Sequence, residues 1–188
     1  MDIISKILED SINKNKYLSI WIYSDDETFW CGKILSFTND ILTFQHFTKY
    51  GKKDGIIFFQ LAQIKNIDFE DQYTKSIAYV IQHSEKIAKE NSIEITILDD
   101  ENWKNDILNQ LNKKTEIISS IKVYGEYYTG FILEVDEDSF IIRCIDSLGM
   151  DQGLSMFKTE DITDFKLNDI DNRKRLLLYN WRKSLQIT

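Results

Sequence analysis

In two stretches of this chain apolar residues recur in the short, β-rich runs that half-buried strands require. Residues 18–23 (Leu-Ser-Ile-Trp-Ile-Tyr) and 118–124 open two such series. Each continues through a second strand (29–37, 127–135) that crosses a glycine, Gly32 or Gly130. A polar turn (38–40, 136–138) leads to a third strand (41–47, 139–145), then to a loop bounded by two glycines. Residues 56–61 and 154–158 read as fourth strands, and 64–69 and 162–167 as short fifth ones. Helical spacing replaces alternation at 2–13, where Ile3, Ile4, Ile7, Leu8 and Ile12 form a stripe, and again at Trp103, Ile107, Leu108 and Leu111. A further stripe runs Tyr73, Ile77, Val80, Ile81, Ile87, and the 176–181 stretch is broadly apolar. Asp71 and Asp169 stand where helix N-caps are expected. Residues 92–98 read as one extended strand, and the acidic run 99–101 marks a boundary.

The two series are copies. Offset by 98 positions, Gly32 meets Gly130, Ile34 Ile132, Leu35 Leu133, Asp40 Asp138, Gly51 Gly149, Gly55 Gly153, Phe59 Phe157, Ile64 Ile162 and Asp71 Asp169: nine identities in the 50 pairs from Gly32 to Ile81, without a gap. Three of them are glycines in a chain of 188 residues that holds seven. A shared need for positive φ or close backbone approach accounts for that coincidence. The predicted fold class is therefore mainly β with flanking helices (α+β): a tandem duplication of a five-stranded small barrel, closed so that no strand edge is exposed. The predicted domains are residues 1–91 and 92–188, packed together without a flexible linker.

The segment 123–136 resembles the first motif of the Sm-like family (the Lsm and Hfq type): Gly130, the apolar residues after it, and Asp136 six positions on. The first copy has Thr38 in that aspartate's place. The resemblance implies an Sm-like or SH3-like barrel and, in that family, RNA binding. It does not carry the RNA-reading residues across: Leu42 and Phe140 stand where the family's uracil-reading asparagine falls, and 60–62 and 158–160 lack its lysine–histidine pair.

Charge bears on the partner. With 31 acidic and 23 basic residues the net charge is −8, and it divides as −3 over residues 1–98 and −5 over 99–188. Neither half attracts a phosphate backbone unless its cations are gathered on one face. Two clusters are candidates for such contact: Lys49, Tyr50, Lys52 and Lys53, where three lysines flank a ring able to stack on a base, and Arg173, Lys174 and Arg175, continued by Arg182 and Lys183. Trp30 and Tyr128 occupy equivalent places in the second strands and are candidate interface aromatics. The acidic turns 25–27 and 136–138 lack the alternating ligand spacing of a calcium loop. Cys31 and Cys144 are isolated from each other and from His46 and His83, so neither a disulfide nor a metal site is expected.

No nucleophile elbow, phosphate loop, dinucleotide fingerprint or zinc-protease motif occurs, and two histidines give little material for acid–base work. The expectation is a protein without catalytic residues, cofactor or metal. The longest apolar runs stop short of a membrane span, and the first residues lack the order of a signal peptide, which points to the cytoplasm. The function expected first is a module that binds another protein; RNA binding by a diverged Sm-like protein comes second, disfavoured by charge. An acidic inhibitor or immunity-type protein is a third class.

Overall fold

A computed structural model describes residues 2–89 and 92–185, with backbone alone at 25–27. The chain divides into two compact units, Met1–Ser84 and Glu85–Thr188. Unit 1 runs α1 (Ile3–Asn13), β1 (Leu18–Ile22), β2 (Asp25–Phe37), β3 (Ile41–Phe47), β4 (Lys53–Gln60), β5 (Ile64–Phe69) and α2 (Gln72–Gln82). The short helix α3 (Ser84–Ala88) follows, and unit 2 then repeats the order as α4 (Trp103–Leu111), β6 (Ser119–Val123), β7 (Glu126–Val135), β8 (Ser139–Ile145), β9 (Asp151–Lys158), β10 (Ile162–Leu167) and α5 (Ile170–Leu185). None of the described helices is long and apolar enough to cross a membrane.

Each unit holds one antiparallel sheet with the same strand order, β5-β1-β2-β3-β4 and β10-β6-β7-β8-β9. The equivalence extends to register. Gly32 faces His46 as Gly130 faces Cys144, and both second strands bulge three residues later, at Leu35 and Leu133. β2 is longer than β7 because its first half carries an irregularity where it pairs with β1. In unit 2 the linker from helix to first strand is longer instead, which restores the 98-residue offset.

The expected closed barrel is not formed: among the described residues no ladder joins β4 to β5, or β9 to β10. The sheets are nonetheless strongly coiled. The 3₁₀ turns Leu61–Gln63 and Thr159–Asp161 connect opposite edges of their sheets, and three such residues advance only about 6 Å. Five strands laid flat would separate those edges by about 19 Å.

Burial follows the alternation. In unit 1 Leu18, Ile20, Ile34, Leu42, Phe44 and Phe59 face inward onto Leu8 of α1. In unit 2 Ile121, Val123, Ile132, Phe140 and Ile142 close over Ile107, Leu108 and Leu111 of α4. A second small cluster sets Phe131 and Ile145 against Leu176 and Tyr179 of α5.

Two further sequence expectations change. Residues 92–98 form no strand: Gln110 bonds Thr96 through both its side-chain atoms, and the Asp106 carboxylate accepts from the Leu98 and Asp99 amides. Side chains of α4 thus satisfy backbone groups that a ladder would otherwise pair. The apolar stripe 73–87 is also not one helix. It breaks at His83, whose ring stacks on Tyr79 and bonds the Tyr79 carbonyl, so Ile87 belongs to α3.

Candidate partner-binding edges

Each sheet ends in two strands of opposite character. β5 and β10 are the polar edges. Asp68 of β5 accepts from Trp21 Nε1 at 2.6 Å and from the Asn66 side-chain amide at 2.8 Å, and Lys65 stands exposed beside it. Asp164 of β10 accepts from the Tyr127 hydroxyl at 2.6 Å, while Lys166 places its ammonium 3.9 Å from the centre of the same ring. Charge along an edge is one of the devices that keeps foreign strands off.

β4 and β9 lack that device over their central residues. After bulges in the ladder, Ile56 to Gln60 pair on one side with β3, and Leu154 to Lys158 with β8. Among the described residues their other sides pair with nothing. Residues 55–64 contain no charged side chain, 153–157 contain none, and the chain has no proline to blunt either edge. Alternation turns Ile57 and Phe59 toward the core of unit 1. It leaves Ile56 and Phe58 in water, 53% and 69% exposed; in unit 2, Leu154 and Met156 are 60% and 64% exposed. These four are the same two positions of the repeat. Lone exposed apolar residues are ordinary, but paired ones on an unpaired strand edge, repeated in both units, make a candidate binding surface.

The residues singled out from the sequence fall elsewhere. Lys49 lies over the Tyr50 ring at 4.9 Å, and Lys52 and Lys53 are exposed at the start of β4. Arg173 donates from Nε to the Ile87 carbonyl at 2.7 Å and from Nη1 to that of Asn168; Arg175 donates to Ile145 at 2.6 Å. Burial pulls the Arg175 guanidinium below its usual range. Arg182 donates to the Leu148 carbonyl, and Lys174 is half-buried on α5. Three of these arginines therefore tie α5 to its own unit.

Trp30 sits edge-on to His46 at 5.0 Å and Tyr128 lies 4.3 Å from Phe157, so each packs on its own unit's core. Asp136 organises its turn by accepting from the Asp138 and Ser139 amides, and the Ser139 bonds hold its carboxyl below the ordinary value. The side chains of the acidic run 25–27 lie outside the described residues; its backbone belongs to β2 rather than to a turn. Cys31 is buried, Cys144 half-buried, and both are free thiols. No group of three or more metal-ligating side chains converges among the described residues.

Ile56, Phe58, Leu154 and Met156 are not among the candidates singled out from the sequence. A signal was present, namely the unbroken apolar run Ile56 to Phe59 and the pair Leu154 and Met156 inside uncharged stretches, but which strands form edges is decided by pairing order. No family model, curated protein or solved structure matches this chain.

Proposed function

We propose that this chain is a non-enzymatic interaction module that binds extended segments of another protein by strand addition to β4 and β9. The observation that carries the reading is the repeated unpaired edge with its exposed pairs Ile56/Phe58 and Leu154/Met156. Backbone groups along such an edge give affinity to an incoming strand, and alternate apolar side chains select its sequence. The common strand order and the 98-residue register support reading the units as a tandem duplication, each an open, coiled five-stranded sheet diverged from the Sm-like type. RNA binding through Lys49, Tyr50, Lys52 and Lys53 is less well supported, because the chain is acidic overall and Arg175 and Arg182 are already bonded to backbone carbonyls within unit 2.

The test is selection of displayed random dodecapeptides on the wild-type chain, followed by titration of the winners against Phe58→Lys/Met156→Lys. Both sites are exposed, so the double variant is expected to keep its circular dichroism and melting temperature. The expected result is a set of peptides with alternating apolar residues, bound at least tenfold more weakly by the variant. Absence of enrichment, or unchanged binding to the variant, overturns the proposal. So does steeply salt-dependent binding of mixed-sequence RNA that is lost in Lys52→Glu/Lys53→Glu, which would establish the RNA reading instead.

A further inference from the structure

Unit 2 contains a cavity of about 420 Å³ beside α5, bounded by α3, residues 92–94, residues 114–118 and the β10–α5 turn. That volume lies in the range of small-molecule sites. Ile93, Ile117, Leu176 and Leu177 give it apolar walls, and Lys86, Lys114 and Arg173 place three cations around it. Lys86 and Lys114 pair with no carboxylate among the described residues. Arg173 is held by its bonds to the carbonyls of Ile87 and Asn168, which fixes the guanidinium plane. Its second Nη, without an acceptor among the described residues, is a preorganised donor.

Beneath Arg173, Asn172 is 2% exposed and already satisfied: it accepts from Ser120 Oγ at 2.9 Å and donates to the Lys166 carbonyl at 3.0 Å. The floor therefore asks nothing more of a ligand. Among the described residues two carboxylates, Glu94 and Glu116, join the lining and reduce its three positive charges to a net +1. That balance suits one negative charge and disfavours a polyphosphate. The corresponding residues of unit 1 are Lys75, Ala78 and Tyr79 in place of Arg173, Leu176 and Leu177. The combination of fixed guanidinium and leucine wall is thus particular to the second copy.

We propose that this cavity binds a small amphiphilic monoanion, a medium-chain carboxylate whose head meets Arg173 and the two lysines while its alkyl chain lies on the leucine wall. The site is independent of the strand edges, and loss of either leaves the other standing. It is tested by calorimetric titration of the intact chain with hexanoate, octanoate and decanoate below their micellar concentrations, with 1-octanol as the uncharged comparator. The expected result is saturable one-to-one binding that tightens about fourfold per added methylene, with octanoate at least tenfold tighter than 1-octanol. Lys86→Glu/Lys114→Glu is expected to weaken octanoate at least tenfold and leave 1-octanol unchanged. Asn180→Trp, an exposed α5 position that lines the cavity, fills the space and abolishes both. No saturable heat with millimolar decanoate overturns the proposal, as does equal affinity for acid and alcohol, or binding that survives Asn180→Trp.

Discussion

Gly32 and Gly130 show what a single missing Cβ permits. A methyl group built there would lie 1.9 Å from the Gln45 carbonyl oxygen in unit 1 and 1.7 Å from that of Arg143 in unit 2. The glycine lets β3 or β8 cross tightly over the bend of the coiled sheet. Gly130→Ala is expected to destabilise unit 2 by about 3 kcal/mol or more, measured by urea unfolding, since the backbone obstacle has no side-chain freedom to give. Gly51 and Gly149 combine positive φ with contact against the backbones of α2 and α5. The recurrence of glycine at these positions was legible in the sequence, but which of the two constraints acted at each was not. The left-handed residues Asn15 and Lys113, and Glu70 and Asn168, obey the same offset and were invisible, because their identities differ. Cys31 carries a second prediction at this scale. Burial raises its thiol from 9.0 to about 12. Between those values the unfolded chain releases the proton and the folded chain keeps it, so stability falls as pH rises, by about 1.4 kcal/mol per pH unit. Cys31→Ala is expected to flatten that alkaline decline in urea midpoints measured from pH 8 to 11.

Helix starts are written locally, and the two aspartates read as caps act as caps. Asp71 Oδ1 accepts from the Thr74 amide at 2.8 Å, and Asp169 Oδ1 from the Asn172 amide at 2.8 Å. Asp71→Ala is expected to cost about 1 kcal/mol at pH 7. Partial burial pushes the Asp71 carboxyl up, but the hydroxyl and amide of Thr74 outweigh it, and the net shift is downward from 3.8. With the folded value depressed, the stabilisation is present above pH 3.8 and is lost as pH falls through the lower folded value. The difference between wild type and Asp71→Ala in urea midpoint should therefore shrink from pH 7 to pH 2.5. Elements whose partners lie far along the chain were read less well. Residues 92–98 have a strand's pattern, yet Gln110 and Asp106 of α4 take their backbone groups. The helix after β5 ends at His83 although the apolar stripe runs on, since the Tyr79–His83 stack and the ring's bond to a carbonyl cap it there.

At the scale of the whole molecule, duplication makes the chain a bivalent binder under the proposed function. Ile56/Phe58 and Leu154/Met156 occupy the same repeat positions, so both edges are expected to accept the same kind of strand. Calorimetry with a selected peptide should give two sites per chain, one in either Phe58→Lys or Met156→Lys, and none in the double variant. A stoichiometry of one in the wild-type chain would show that a single unit binds. A partner carrying two copies of the motif on a spacer long enough to reach both edges is expected to bind with higher avidity without any new contact.

The amino-acid sequence by itself determined the alternation that builds ten strands, the caps that start α2 and α5, and the 98-residue repeat. All three are set by near neighbours or by identity, and none needs a distant partner. Tertiary structure decided what depends on which strands lie side by side. It left the ladder between β4 and β5 open, packed Trp30 and Tyr128 against each unit's own core, and bonded Arg175 and Arg182 to backbone carbonyls. It also left Phe58 and Met156 on unpaired edges. An apolar residue in an alternating run looks the same from the sequence whether its strand is central or outermost, and pairing order alone tells the two apart.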